Sequence, residues 1–302
     1  MIQTIEKEFY KLKSEYDHAS LKEQDKINKE IESLLKRQKK NLEPYDRVYL
    51  ARHKNRPKAD EIISELIENP IYLAGDRFFG EDHCLIGGIG TFQGKPVTFL
   101  GTKKGQNLEE NLKTNFGMPN PEGYRKAIRL MNQANKFKRP IITFIDTSGA
   151  YPGIGAEERG QGEAIARCIM NSFNLTVPII SIITGEGGSG GALALAVGNS
   201  VVMFENSIYS ILSPEGFSSI VWKDPSRSKE ASEIMKITAK DLMDLKVIDK
   251  IIEEDISFEK EYFKDNINRL RTYLKEEVFK LSRTNGRRLQ DERIKKFRGM
   301  GI

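Results

Sequence analysis

Five glycines stand between Gly185 and Gly191 in the stretch TGEGGSGGALALAVG, Thr184 to Gly198, directly after the apolar run VPIISIIT. Three side-chain chemistries could use that spacing. Gly185, Gly187 and Gly190 fit the GxGxxG turn of a dinucleotide site, and Glu205 supplies an acid where the ribose would need one. Gly187, Ser189 and Gly191 fit GxSxG, the elbow that raises a nucleophilic serine. Gly185 and Gly190 begin a phosphate-binding P-loop, but Gly191 and Ala192 stand where that loop needs Lys and then Ser or Thr. The phosphate cradle therefore fails on its own terms.

Order along the chain tests the serine reading. An elbow serine is followed by its acid and then its histidine, yet His18, His53 and His83 all precede Ser189. The order His83, Asp146, Ser189 survives formally, but it belongs to an all-β scaffold, so His83 reads as a surface or structural residue. The dinucleotide turn is weakened by the short helix ALALAVG behind the glycines, and by a similar unit already present upstream. A fourth use needs no side chain. A helix start offers unpaired N–H groups and a partial positive charge, and residues without a Cβ let a substrate oxygen come close. That is an oxyanion hole, in which one donor typically contributes about 3 kcal/mol to the transition state. The plain alternative is that Gly190 and Gly191 only permit tight packing of a helix on a sheet, and sequence leaves both open.

The elements that would position such a turn are legible around it. RPIITFIDTSGAYPG and VPIISIITGEGGSGG each run proline, apolar strand, glycine-rich turn and helix, with Pro140 and Pro178 38 residues apart. AEERGQGEAIARCIMNSF between them reads as helix, with Glu157 and Glu158 in its first turn. Upstream, CLIGGIGTF and KPVTFLGT read as a hairpin, and YRKAIRLMNQANKF places Ala127, Leu130, Met131 and Ala134 on one helical face. Downstream, SVVMFENSIYSIL reads as two strands bent at Glu205 and Asn206, and Thr238 to Ile252 as a capped helix and short strand. Repeated β–turn–α units make an α/β fold. An amphipathic helical arm precedes it, with Ile27, Ile31, Leu34 and Leu35 at helical spacing, and ADEIISELI forms a short helix. Phe263, Ile267, Leu270, Leu274, Val278 and Leu281 mark a long amphipathic helix whose stripe needs either its own core or a second chain.

Composition excludes several classes. A chain of 302 residues with 38% hydrophobic content can bury a core. It has no apolar run near the roughly 20 residues that span a bilayer, and MIQTIEKEFYKLK alternates charges where a signal peptide would be apolar. A cytoplasmic protein with no membrane partner is expected. Cys84 and Cys168 offer neither a disulfide framework nor a four-thiolate zinc site. The net charge of +5 is modest and dispersed, which argues against a nucleic-acid protein. The local excess ARHKNRPK, Ala51 to Lys58, reads as a solvated face, or else as a contact for an acidic partner or anionic cofactor.

Four segments, NFGMPNPEGYRKAIRLM, FIDTSGAYPGIGAEERGQGEAIA, GEGGSGGALALAVG and YSILSPEGFSSIVWKD, resemble the alpha-subunit family of the acetyl-CoA carboxylase carboxyltransferase, in that family's order. The similarity runs from near residue 30 to KKFRGMG. It implies a crotonase-like fold of repeated ββα units. On that basis the expected division is an arm over 1–40, a carboxyltransferase domain over 41–290 and a tail over 291–302; within the domain the catalytic core is about 71–255 and C-terminal helices occupy 256–290. The resemblance further implies a heterotetramer with a beta subunit that carries a zinc ribbon, this chain holding no metal. A biotin carboxyl carrier protein would bring carboxybiotin, and biotin carboxylase would belong to the wider complex. The reaction implied is carboxyl transfer to acetyl-CoA, giving malonyl-CoA for fatty-acid biosynthesis, with this subunit inactive alone. By motif match, the N–H groups of Gly190, Gly191 and Ala192 would hold the ureido oxygen of biotin. Gly149, Ala150, Tyr151, Pro152, Gly153, Gly187 and Gly188 would line the wall for biotin or CoA. Biotin's own nitrogen can take the methyl proton, so Glu157 and Glu158 read as helix-start acids and Glu186 as a loop residue. The alternative is a self-sufficient crotonase-type acyl-CoA hydratase or decarboxylase.

Overall fold

The computed structural model describes residues 1–301. Its first segment is a helical hairpin, α1 (Ile2–Asp17) and α2 (Leu21–Lys39), closed around Ile2, Ile5, Phe9, Ile31, Leu34 and Leu35. The chain can turn there because Ser20 and Glu23 form a reciprocal cap at the start of α2. α3 (Pro44–Ala51) and α4 (Ala59–Leu66) lead into the sheet. The order is then β1 (Glu68–Tyr72), β2 (Leu85–Phe92), β3 (Lys95–Thr102), α5 (Leu108–Lys113), α6 (Pro121–Lys136), β4 (Ile141–Thr147), α7 (Ile154–Glu158) and α8 (Gln161–Asn174). It continues with β5 (Ile179–Gly188), α9 (Ser189–Ala196), β6 (Ser200–Phe204), β7 (Ile208–Ser210), α10 (Pro214–Trp222), α11 (Ser228–Ile234) and α12 (Ala239–Asp244). β8 (Lys250–Ile252), α13 (Lys264–Ser282) and α14 (Gly286–Arg298) complete it.

The sheet is mixed. Its order is β1-β2-β3-β4-β5-β6-β8, antiparallel from β1 to β3 and parallel from β3 onward, while β7 lies off this path and pairs with the far end of β5. The hairpin β2–β3 with α6 is one ββα unit, and β6 and β7 with the helices behind them form another. Between these, β4 and β5 each run straight into a glycine turn and a helix, the echo seen around Pro140 and Pro178.

Alternation along each strand splits the core in two. Leu100, Ile141, Ile145, Ile179, Ile183, Val201 and Met203 meet α6, α8, α9 and α12 on one face. Phe99, Ile142, Phe144, Ile180, Ile182, Val202 and Phe204 meet α4 and α13 on the other. β4 and β5 are therefore buried on both sides, as parallel strands covered by helices must be. The stripe of α13 faces this second core: Ile267, Leu270, Leu274, Val278 and Leu281 are all buried within the chain itself.

The fold corrects two expectations. Residues 291–302 read as a tail in the sequence, but their described part up to Arg298 belongs to α14, which buries Leu289 and Arg293. Arg293 donates to the carbonyls of Leu175 and Val177, each at 3.0 Å, and to Asn199 Oδ1 at 2.7 Å, so the helix is clamped to the parallel strands. ARHKNRPK reads as a solvated face, yet His53, Arg56 and Lys58 are buried. Arg56 is paired with Glu254 at 2.6 and 3.0 Å and donates to the Thr184 carbonyl, and His53 Nε2 lies 3.1 Å from Glu6. Buried charges are retained in folded proteins when they are paired, and these partners come from distant parts of the chain.

Candidate functional site

The site begins with α9, whose position is set from both ends. At its C-terminal end the Leu195 carbonyl accepts from Thr143 Oγ1 and Ser181 Oγ, each at 2.9 Å, which ties the helix to β4 and β5. α9 is apolar on every side and fits its place under the sheet accordingly. At its N-terminal end β5 delivers Gly187 and Gly188, and Ser189 turns the chain with φ +53°, a left-handed conformation rare for any residue but glycine. Helical backbone thus begins at Gly190. No side chain caps this start. The first N–H groups of a helix have no carbonyl one turn back, so Gly190 and Gly191 present such donors and Ala192 stands next in line.

The glycines of the turn are not equivalent. A Cβ on Gly188 would sit 2.1 Å from the Ser148 carbonyl oxygen, and one on Gly191 2.5 Å from the Ala150 nitrogen and 2.8 Å from the Tyr124 hydroxyl. A Cβ on Gly187 would meet the Tyr209 ring at 2.8 Å, and one on Gly185 would meet Asp146 Oδ1 at 2.5 Å. Packing alone requires glycine at these four positions. Gly190 differs, since its nearest neighbour would be an Ile165 methyl at 3.5 Å, an ordinary contact. The packing explanation therefore accounts for Gly191 and leaves Gly190 over. Gly190 and the exposed Ser189 open onto an apolar cleft of about 430 Å³, walled also by Leu193, Tyr209, Ile211 and Phe297.

The loop after β4 reaches the same place. Ser148 to Ala150 lie against Gly188 and Gly191, close enough to exclude a side chain at either glycine. Gly149 has φ +146°, and its N–H and carbonyl are both bonded to Thr147 Oγ1. Buried Gln161 donates to the Tyr151 and Pro119 carbonyls, each at 2.9 Å, and the Tyr151 N–H donates to Pro119 as well. Tyr151, Pro152 and Gly153 are thereby held at the rim, with Gly153 capping α7. The structure brings together Gly149, Ala150, Gly187, Gly188, Gly190 and Gly191, while Tyr151 to Gly153 extend the same loop outward. Tyr124, buried on α6 beneath Gly191, has a hydroxyl without a partner among the described residues. Burial pushes its ionisation well above the ordinary tyrosine range.

Acid–base candidates fare differently. Glu157 and Glu158 are exposed in α7. Glu186 is buried, which alone would push its carboxyl up, but Lys104 and Arg52 override that and hold it down at about 2. Lys104 Nζ lies 2.7 Å from one Glu186 oxygen and Arg52 Nε 2.6 Å from the other. A carboxylate so engaged is no general base near neutrality. His83 is exposed, and Asp146 accepts from Lys104 and from the Glu186 N–H, so no serine triad forms. Sequence reasoning missed Lys104 altogether, and read Arg52 only as part of the cationic run ARHKNRPK, not as a partner of Glu186. Their partners lie 82 and 134 residues away, and no spacing rule spans that distance.

Comparison with known proteins decides the family. A family model described as acetyl co-enzyme A carboxylase carboxyltransferase-like matches residues 1–301. The chain belongs to the acetyl-CoA carboxylase carboxyltransferase family. Within this carboxyltransferase family it is 53% identical over 260 residues to the acetyl-coenzyme A carboxylase carboxyl transferase subunit alpha of Clostridium acetobutylicum, covering 86% of this chain and 95% of the relative. It is 52% identical over 267 residues to a chain of Natranaerobius thermophilus named subunits beta/alpha, covering 88% of this chain but 44% of that one. Among solved structures, transcarboxylase 12S with methylmalonyl-coenzyme A and methylmalonic acid bound superposes with a TM-score of 0.61 at 14% identity, over 77% of this chain and 44% of the other. At that identity the likeness speaks for the fold alone, and the fold is the crotonase-like one shared by carboxyltransferases.

Proposed function

We propose that this chain is the alpha half of the acetyl-CoA carboxylase carboxyltransferase and works with a beta subunit to form malonyl-CoA for fatty-acid synthesis. The carboxyl carbon of carboxybiotin leaves the ureido nitrogen, whose electron pair passes into the ureido group, and bonds to the methyl carbon of acetyl-CoA. The methyl proton ends on that nitrogen. Carboxybiotin and acetyl-CoA thus become biotin and malonyl-CoA with no side chain consumed. Negative charge grows on the ureido oxygen as the carboxyl departs, and preorganised N–H donors at that point lower the barrier.

The observation that carries the site assignment is Gly190. It is the one glycine of the turn that packing does not require, it opens onto the cleft, and with Gly191 it heads an uncapped helix. Ureido oxygen on the Gly190 and Gly191 N–H groups, with Ala192 behind them, is the arrangement this supports. The loop Gly149–Gly153 and the pair Gly187–Gly188 form the wall on which biotin or the thioester lies. Supply of the thioester-side oxyanion contacts and of a zinc ribbon falls to the beta subunit, and carboxybiotin arrives on its carrier protein in an assembly of two alpha and two beta chains. Biotin carboxylase belongs to the wider complex. A self-sufficient hydratase would need a free acid–base pair at the turn, and Glu186, the acid there, is taken up by two cations.

Co-purification with a beta subunit, followed by assay of malonyl-CoA from acetyl-CoA and carboxybiotin, tests the proposal. Transfer by the complex and none by either chain alone is the expected result. A well-assembled complex that makes no malonyl-CoA would remove the assignment.

A further inference from the structure

The glycine turn leaves the sheet through a kink that no sequence pattern announces. β4 and β5 run in step to Ile145 opposite Ile183, and the next pair is Thr147 opposite Gly187. Asp146 therefore faces three residues, Thr184, Gly185 and Glu186. An excess of residues on one strand bends it and re-aims the chain beyond the bend. Here the bend lets Glu186, Gly187 and Gly188 pair with β7 and sends the chain into α9.

Asp146, Glu186, Lys104 and Arg52 are bonded to one another at this bulge. Asp146 Oδ1 fills the space that a side chain at Gly185 would need, and accepts from the Glu186 N–H at 2.9 Å and from Lys104 Nζ at 2.8 Å. Lys104 also reaches Glu186 Oε2 at 2.7 Å, so one ammonium ties the ends of two neighbouring strands together. Arg52 Nε, from just beyond α3, takes Glu186 Oε1 at 2.6 Å, and its remaining nitrogens hold Glu215 on α10 at 2.9 and 3.3 Å. Lys58 is buried with its charge acting on Asp146. The Asp146, Glu186 and Lys104 side chains are 4%, 10% and 16% exposed and sit beneath the turn, whereas Arg52, 33% exposed, reaches the surface; none of the four lines the cleft.

Buried ion pairs are seldom retained for stability, because well-packed apolar residues do as well or better, whereas they do fix register. The C-terminal end of α9 is already tied down by Thr143 and Ser181. What this cluster adds is the direction of the other end. We propose that Asp146, Glu186, Lys104 and Arg52 are positioning residues for carboxyl transfer: they lock the β5 bulge and thereby aim the Gly190 and Gly191 N–H groups at the oxygen that becomes negative. The inference rests on the oxyanion role proposed for that turn.

The test uses the complete complex with its beta subunit, assayed for malonyl-CoA from acetyl-CoA and carboxybiotin. Lys104→Met removes the shared cation, and Glu186→Gln keeps the shape of the side chain while removing its charge. A misplacement of about 1 Å costs on the order of 100-fold in rate, so kcat should fall by about that factor in each variant. KM for both substrates should stay within about twofold, since the weakened hydrogen bonds are ones made in the transition state. Lys104→Arg should recover at least about tenfold of the loss, because the guanidinium can span both carboxylates. Gel filtration and the unfolding midpoint report assembly and folding. An unchanged kcat in Glu186→Gln overturns the proposal, as does a loss that merely tracks the fraction of complex assembled in both variants. Should Lys104→Met fail to assemble, Glu186→Gln decides. An inactive wild-type complex would instead overturn the function itself, and this inference with it.

Discussion

At the scale of the residue, the turn shows how one amino-acid type serves two purposes within seven positions. Gly185, Gly187, Gly188 and Gly191 are glycine because another part of the chain occupies the space of a side chain, and Gly190 is glycine where space is free. The two kinds can be told apart by substitution. Gly191→Ala must displace the backbone of Gly149 and Ala150, and is expected to destabilise the chain by about 1–3 kcal/mol, the usual cost of overpacking. Gly190→Ala meets no clash and gains helix propensity, so its stability should stay within about 1 kcal/mol of the parent. Thermal unfolding of the two variants checks the contrast, and equal losses would contradict it.

At the scale of the element, the end of β5 depends on charge. Glu186 has a folded value of about 2 against an ordinary 4.5, so the folded chain binds this proton less readily than the unfolded chain. Its contribution to stability is complete above about pH 4.5 and fades as the pH falls through about 2. Glu186→Gln has no such proton to take up. The stability gap between parent and variant should be widest near neutrality and close as acid is added, which denaturant midpoints measured across that range will show. A gap of constant size would mean that the carboxylate is not held ionised by Lys104 and Arg52.

Elements also mark where sequence patterns stop being informative. The hairpin, the two proline–strand–turn units and α13 are legible because periodicity and turn residues are local signals. ARHKNRPK misleads for the complementary reason. A run of cations looks solvated until its partners are found, and Glu6, Glu186, Glu215 and Glu254 lie between 47 and 198 residues away. The segment 291–302 misleads similarly, since it is mostly polar and its anchor is one buried arginine on backbone carbonyls.

At the scale of the whole molecule, α13 closes one face of the sheet and leaves its stripe no part in assembly. Leu270→Ala should therefore cost about 2–5 kcal/mol, as cavities in cores do, and the same amount in the isolated chain as in the complex. Unfolding measured with and without the beta subunit separates this from an interface position, where the cost would appear only in the complex. The region of α10 is different in character: Ile211 just before the helix and Ile220 on it are 78% and 74% exposed in the chain by itself. Arg52 links α10 to the glycine turn, so a partner bound there would be in touch with the site.

By itself the sequence determined the β2–β3 hairpin, the two proline–strand–turn units, the stripe of α13 and the family, because each rests on neighbours within a few residues or on a long motif read in order; β1 and α10 carry no such signal, and the single helix expected over AEERGQGEAIARCIMNSF is divided at Gly160, whose φ is +80°. It also removed the serine and phosphate readings of TGEGGSGG, since residue order and residue type suffice for that. Only the tertiary structure decided which glycine is free, that Glu186 is bound between two cations, and that β5 bulges opposite Asp146. Those facts depend on side chains brought together across the sheet from as far as 134 residues apart, and contacts at that range are made by folding and not by spacing.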